Sequence, residues 1–162
     1  MGILGLVLSS VVAFSIEFVT SRAKADALAE VAWNNRYAVG RMAAEIREAA
    51  GYNSGASTLG ANPSTLVLCL TAMPCPLAAD QAAFSLSAGR LYLTKNGVTL
   101  PLTSAKLTVT NFTVFDRSIT GRTRDFRIRI TSQAAGGAYW TVAPTATYET
   151  TERIRRGEGF SN

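Results

Sequence analysis

The chain has 162 residues, a net charge of +5 at pH 7 and a sequence pI near 9.6. It contains no histidine, which removes the commonest general base and the commonest metal ligand. Its only two cysteines, Cys69 and Cys75, are too few for a zinc site, and the length suggests one domain plus an extension.

The first element is the longest. An apolar stretch, residues 2–19, runs into a charged amphipathic stretch, residues 20–50, without proline or a turn cluster. Gly51-Tyr52-Asn53-Ser54-Gly55 is the first punctuation. The pattern predicts one helix of about 50 residues, roughly 75 Å long. A domain of this size cannot bury such a rod, so part of it must meet a membrane, other subunits, or both. Residues 1–51 therefore form the predicted helical part, with 1–21 as the membrane or assembly segment. Residues 52–162 form a β-rich globular part with a polar C-terminal tail.

The apolar stretch lacks the basic start of a signal peptide and continues into strong helix formers, Arg22 to Leu28. Ala23-Lys24-Ala25 keeps cleavage as an alternative. Residues 2–19 are slightly shorter than the ~20 residues of a membrane-spanning helix, and they include Glu17. The residues expected to pack in a membrane or against other subunits are Ile3, Leu4, Leu6, Val7, Leu8, Val11, Val12, Phe14 and Ile16.

Further along, Leu28, Ala32, Asn35, Val39, Met42, Ala43, Ile46 and Ala50 fall within about 100° of arc, the width of a core-facing stripe. Leu28, Val39, Met42 and Ile46 are the expected helix–sheet core. Arg41 and Glu45 are spaced to pair at i,i+4. Gly40 costs about 1 kcal/mol in a helix interior, which suggests a close contact there, and Gly51 is placed as the residue that ends the helix. Trp33 and Tyr37 lie on the side away from the stripe. Either loops of the same chain cover them, or they meet a neighbouring subunit, where aromatics are enriched.

After residue 51 the period changes to that of strands. Thr65 to Leu70 is a β-rich run, and Pro74 and Pro76 lie in the loop that follows. Phe84 to Ser87, Arg90 to Thr94 and Val98 to Leu100 alternate, with Asn96-Gly97 as a two-residue hairpin turn. Lys106 to Phe115 changes apolar parity between Val109 and Phe112, which predicts a bulge near Asn111. Phe126, Ile128 and Ile130 alternate with Arg127 and Arg129. Residues 138–147 read as the last strand and 149–162 as a tail. The expected fold is α+β: a long N-terminal helix packed against one antiparallel sheet.

Cys69 and Cys75 either form a disulfide that closes a short loop or remain unpaired thiols, with Cys69 buried in a strand. Arg122, Arg124, Arg127 and Arg129 are candidates for phosphate contact with nucleic acid. Interspersed carboxylates favour a solvated face instead. Carboxylates are sparse, and no Gly-rich loop stands between a strand and a helix. No catalysis, cofactor or metal is expected.

The helix-then-sheet order resembles type IV pilin-like proteins. The residues that carry the likeness are the start Met1-Gly-Ile-Leu-Gly-Leu-Val-Leu and the unbroken helix ending in Tyr37 to Gly51. Within the superfamily the chain is most similar to J-type minor pseudopilins of type II secretion and W-type minor pilins. Arg90-Leu-Tyr-Leu, Pro101-Leu-Thr-Ser and the strand Leu107 to Phe115 carry that closer likeness. The resemblance implies a non-enzymatic structural subunit of a pilus or pseudopilus. Its partners would be other pilin or pseudopilin subunits, the inner membrane and the assembly machinery, with the globular domain periplasmic or extracellular. Such proteins open with a basic leader ending in Gly and carry an early glutamate. Glu17 is too late to be that residue, so the leader and the start of the apolar segment are expected to be missing. Two other readings remain: a tip subunit that binds DNA or surfaces, and a single-pass anchored domain that never polymerises.

Overall fold

The computed structural model describes residues 2–119, 124–135 and 143–154, with side chains from Val11 onward. Among the described residues one α-helix, α1 (Gly2–Glu48, 47 residues), precedes eight strands. At 1.5 Å per residue it is about 70 Å long. The strands are β1 (Gly51–Tyr52), β2 (Leu66–Cys69), β3 (Gln81–Ser87), β4 (Arg90–Lys95), β5 (Val98–Pro101), β6 (Leu107–Asp116), β7 (Asp125–Ala134) and β8 (Thr145–Arg153). The α+β architecture read from the sequence is the one observed.

The single expected sheet is in fact two. Strands β1 to β5 form one antiparallel sheet in sequence order, and β6, β7 and β8 form a second. They are joined along the outer edge of β6. There the Val109 N–H donates to the Gly89 carbonyl, and the N–H groups of Gly60 and Ser64 donate to Val114 and Phe112, at 2.8–2.9 Å. Sequence alternation cannot reveal such a seam, because loop backbone makes it. Gly89 is required at the seam twice over. Its φ is +72°, and a Cβ there would lie 2.8 Å from Thr108 Cγ2.

The turn chemistry was legible. Asn96 (φ 54°) and Gly97 (φ 75°) both adopt the left-handed backbone of a type I′ hairpin. The register of β6 with β7 shifts between Val109 and Asn111, where the parity change lies. The last strand is a correction. β8 runs from Thr145 to Arg153, so residues 149–153 are strand rather than tail. Residues 138–142 and 155–162 lie outside the described residues. A run such as Glu149-Thr-Thr-Glu-Arg153 has no apolar alternation because its strand is a sheet edge with one polar face.

The helix crosses β7 and β8. Val31, Ala38, Val39, Met42, Ile46 and Ala49 join Phe112, Val114, Phe126, Ile128 and Ile130 of the smaller sheet and Leu66, Phe84, Leu91 and Leu93 of the larger in one core. Val39, Met42 and Ile46 are thus core residues as expected. Leu28 is not, since it is 36% exposed. The buried face is turned by roughly 60° from the predicted stripe at 100° per residue, towards Ala27, Val31, Asn34, Ala38 and Glu45. Two polar residues on that face, Asn34 and Glu45, hid it from a hydrophobic count.

Those polar residues fix the helix on the sheets. Asn34 Oδ1 accepts the Ser104 N–H at 3.1 Å. Asn35 Oδ1 accepts from Ser132 Oγ at 2.6 Å, and its Nδ2 donates to the Ala146 carbonyl at 3.1 Å. Buried Glu45 is held by Lys95 Nζ at 2.7 Å and by Arg41 at 3.1 Å, the i,i+4 pair expected. The helix stops at Glu48 rather than at Gly51. The Ala49 N–H still reaches the Glu45 carbonyl, but the Ala50 N–H turns to Cys69 of β2 at 2.8 Å. Gly51 pairs with Cys69 in β1, and the Met73 side chain lies where its Cβ would be. Sheet pairing, not a glycine cap, ends the helix.

Candidate assembly surface

Helices hydrophobic all round are buried by something. From Val11 to Val19 every side chain is exposed, including Val11, Val12, Phe14, Ile16, Phe18 and Val19, and Phe14 reaches 72%. Among the described side chains of the helix, Ala27 is the first packed against the core. The rod upstream of it therefore projects from the domain as a stalk, apolar along most of Val11–Val19 and polar from Thr20 to Asp26. Phe18 and Val19, the end of the apolar stretch, belong to this surface too. Ile3, Leu4, Leu6, Val7 and Leu8 lie on the same helix, but their side chains fall outside those described. Among the described residues no helix is long and apolar enough to cross a membrane.

A second exposed surface lies lower on the helix. Trp33 is 64% and Tyr37 51% exposed, so no described loop of this chain covers them. Their rings stack with centroids 5.7 Å apart and planes 11° apart. Among the described residues nothing stands within 4 Å of where a Gly40 Cβ would lie, so no described contact within the chain explains that glycine.

The Cys69–Cys75 disulfide is formed, with Cα atoms 5.5 Å apart, and no described cysteine is free. It fastens the Pro74–Pro76 loop to β2, beside the point where the helix ends.

The arginine cluster is largely engaged within the chain. Arg127 and Arg129 both donate to Glu149 across the β7–β8 register. These two hydrogen bonds hold the Glu149 carboxyl below its ordinary range, that from Arg127 first. Arg124 lies over the Tyr52 ring, 5.4 Å from its centroid. Arg122 lies outside the described residues. Among the described residues no three cysteine or acidic side chains are grouped to hold a metal ion.

Tyr52 couples this region to pH. Its hydroxyl donates to Asp116 Oδ2 at 2.9 Å. Burial, then the Asp116 hydrogen bond and charge, raise the phenol, with Arg124 opposing. Burial also works to raise Asp116, but hydrogen bonds from Ser118 and Tyr52 and the Arg124 charge hold it low. The signs follow from linkage. A raised phenol adds stability below its ordinary value of about 10, and that stability is lost as pH rises through the folded value. A lowered carboxyl adds stability above about 3.9, lost as pH falls through the folded value. Melting temperatures against pH should therefore fall less steeply above pH 10 in Tyr52→Phe and less steeply below pH 4 in Asp116→Asn. Unchanged slopes in both variants would show that the pair does not couple to folding.

No protein-family model matches this chain, and no curated protein or solved structure matches it.

Proposed function

We propose that the chain is a structural subunit of a helix-cored filament, of the type IV pilus or type II secretion pseudopilus kind, most similar to a minor pilin or pseudopilin. The observation that carries the reading is the division of α1. Its second half supplies the domain's own core, and its first half presents Val11, Phe14, Ile16 and Phe18 to the outside. Such a stalk is held in the inner membrane before assembly and among the stalks of neighbours afterwards. The β domain then stands on the periplasmic or outer side. The role needs no reaction within this chain. A DNA-binding tip subunit is the weaker reading, because Arg127 and Arg129 are already engaged by Glu149.

The test is Phe14→Asp in the full chain. An aspartate at the centre of an inserted helix costs about 2.5–3.5 kcal/mol, and Phe14 touches nothing in the domain core. The variant should keep the melting temperature of the wild type yet lose membrane association and oligomers in mild detergent. A wild-type chain that is monomeric and free of membranes would end the reading. So would a Phe14→Asp domain that melts well below the wild type.

A further inference from the structure

Gly40 needs an explanation that the chain itself does not supply. It lies inside a continuous helix, φ is not positive, and among the described residues no atom approaches its Cβ position. Alanine there would be better for the helix. Trp33 and Tyr37 precede it by seven and three residues, so all three share one strip of the outer face. The stacked rings form a flat apolar wall, and Gly40 beside them is a notch where another backbone can come close. Arg36 flanks the strip and has no ion-pair partner among the described residues. The complement of this surface is an apolar helix carrying one carboxylate.

The chain owns such a helix. Phe14 and Phe18 sit one turn apart on the stalk, both exposed. Glu17 beside them is the only charged residue in 2–19, is exposed, and has no ion-pair partner among the described residues. We infer that the Trp33–Tyr37–Gly40 strip of one copy seats the Phe14–Phe18 turn of a second copy, with that copy's Glu17 against Arg36. This rests on the filament reading and deepens it by naming both sides of one contact. The two surfaces differ, so the contact is heterologous and each copy offers one of each. Such contacts propagate into an open filament when successive copies are displaced along the axis, and close into rings when they are not. Glu17 and Arg36 are separated by roughly 28 Å along the helix at 1.5 Å per residue, which sets the stagger of two parallel copies.

The experiment co-expresses two full-length variants, one Gly40→Cys and one Phe18→Cys. Non-reducing gels should show a disulfide-linked dimer in the mixture and none from Gly40→Cys alone. Glu17→Arg in the Phe18→Cys copy should cut the dimer by about fivefold or more, and Arg36→Glu in the other copy should restore it, as expected of a direct charge pair. Gly40→Leu should lower the oligomeric fraction without lowering the melting temperature, since the helix itself gains from losing glycine. A companion pair with Phe14→Cys in both copies reports stalk–stalk contact. If that pair cross-links and the Gly40–Phe18 pair does not, the inference is overturned while the filament reading stands. If neither cross-links, both fall. A dimer from Gly40→Cys alone would mean a two-fold contact and overturn it. So would protection of Gly40→Cys from a water-soluble maleimide in membranes too dilute for assembly, which would assign the strip to lipid.

Discussion

Ile46→Asp should unfold the β domain, while Leu28→Asp should leave it folded. Ile46 is fully buried in the core between helix and sheets. The change gives up about 1.5–3 kcal/mol of side-chain burial and strands a carboxylate at an effective cost of several kcal/mol. The total approaches the entire stability of a domain, about 5–15 kcal/mol. Leu28 retains 36% of its surface in solvent, and an aspartate there stays hydrated. Its cost should be about 1 kcal/mol or less, in the range of surface changes. Thermal melting followed by near-ultraviolet circular dichroism separates the two. A Leu28→Asp protein as damaged as Ile46→Asp would mean that the helix is rotated from the orientation described.

The second large effect is expected at Asn35. It is fully buried and is the only described side chain that bonds to both β7 and β8, through Ser132 Oγ and the Ala146 carbonyl. Alanine leaves a void and orphans a hydroxyl and a carbonyl, at about 1–3 kcal/mol for each unsatisfied buried group. Asn35→Ala should therefore lower stability by roughly 2–4 kcal/mol in urea melts. Ser132→Ala should cost less alone and, combined with Asn35→Ala, little more than Asn35→Ala itself. Coupling of about 0.5–3 kcal/mol is the signature of a shared bond. Simple additivity of the two changes would show that the residues act separately.

These two sites mark where reading the sequence succeeds and fails. Met42 and Ile46 are found by periodicity because they are apolar and the core is apolar. Asn35 falls on the stripe by position, but its role depends on Ser132, 97 residues away, and no local pattern connects them. Leu28 fails for the opposite reason. It is apolar and in phase, yet the buried face follows Asn34 and Glu45, whose partners Ser104 and Lys95 draw polar side chains inward. The same holds for the arginines. Their alternation in β7 is legible, but their pairing with Glu149 requires the β8 register.

The sequence by itself determined the unbroken helix, its apolar first half, the hairpin turn at Asn96-Gly97 and the bulge by Asn111. All of these are local: propensity, period and turn chemistry act over a few residues, and nothing distant opposes them. Only the tertiary structure decided that the strands divide into two sheets, that the helix faces them through Val31 and Ala38 rather than Leu28, and that sheet pairing stops the helix before Gly51. It alone left Trp33, Tyr37 and Gly40 bare. Exposure is a property of what the rest of the chain fails to cover, and that is set by packing between residues far apart in sequence.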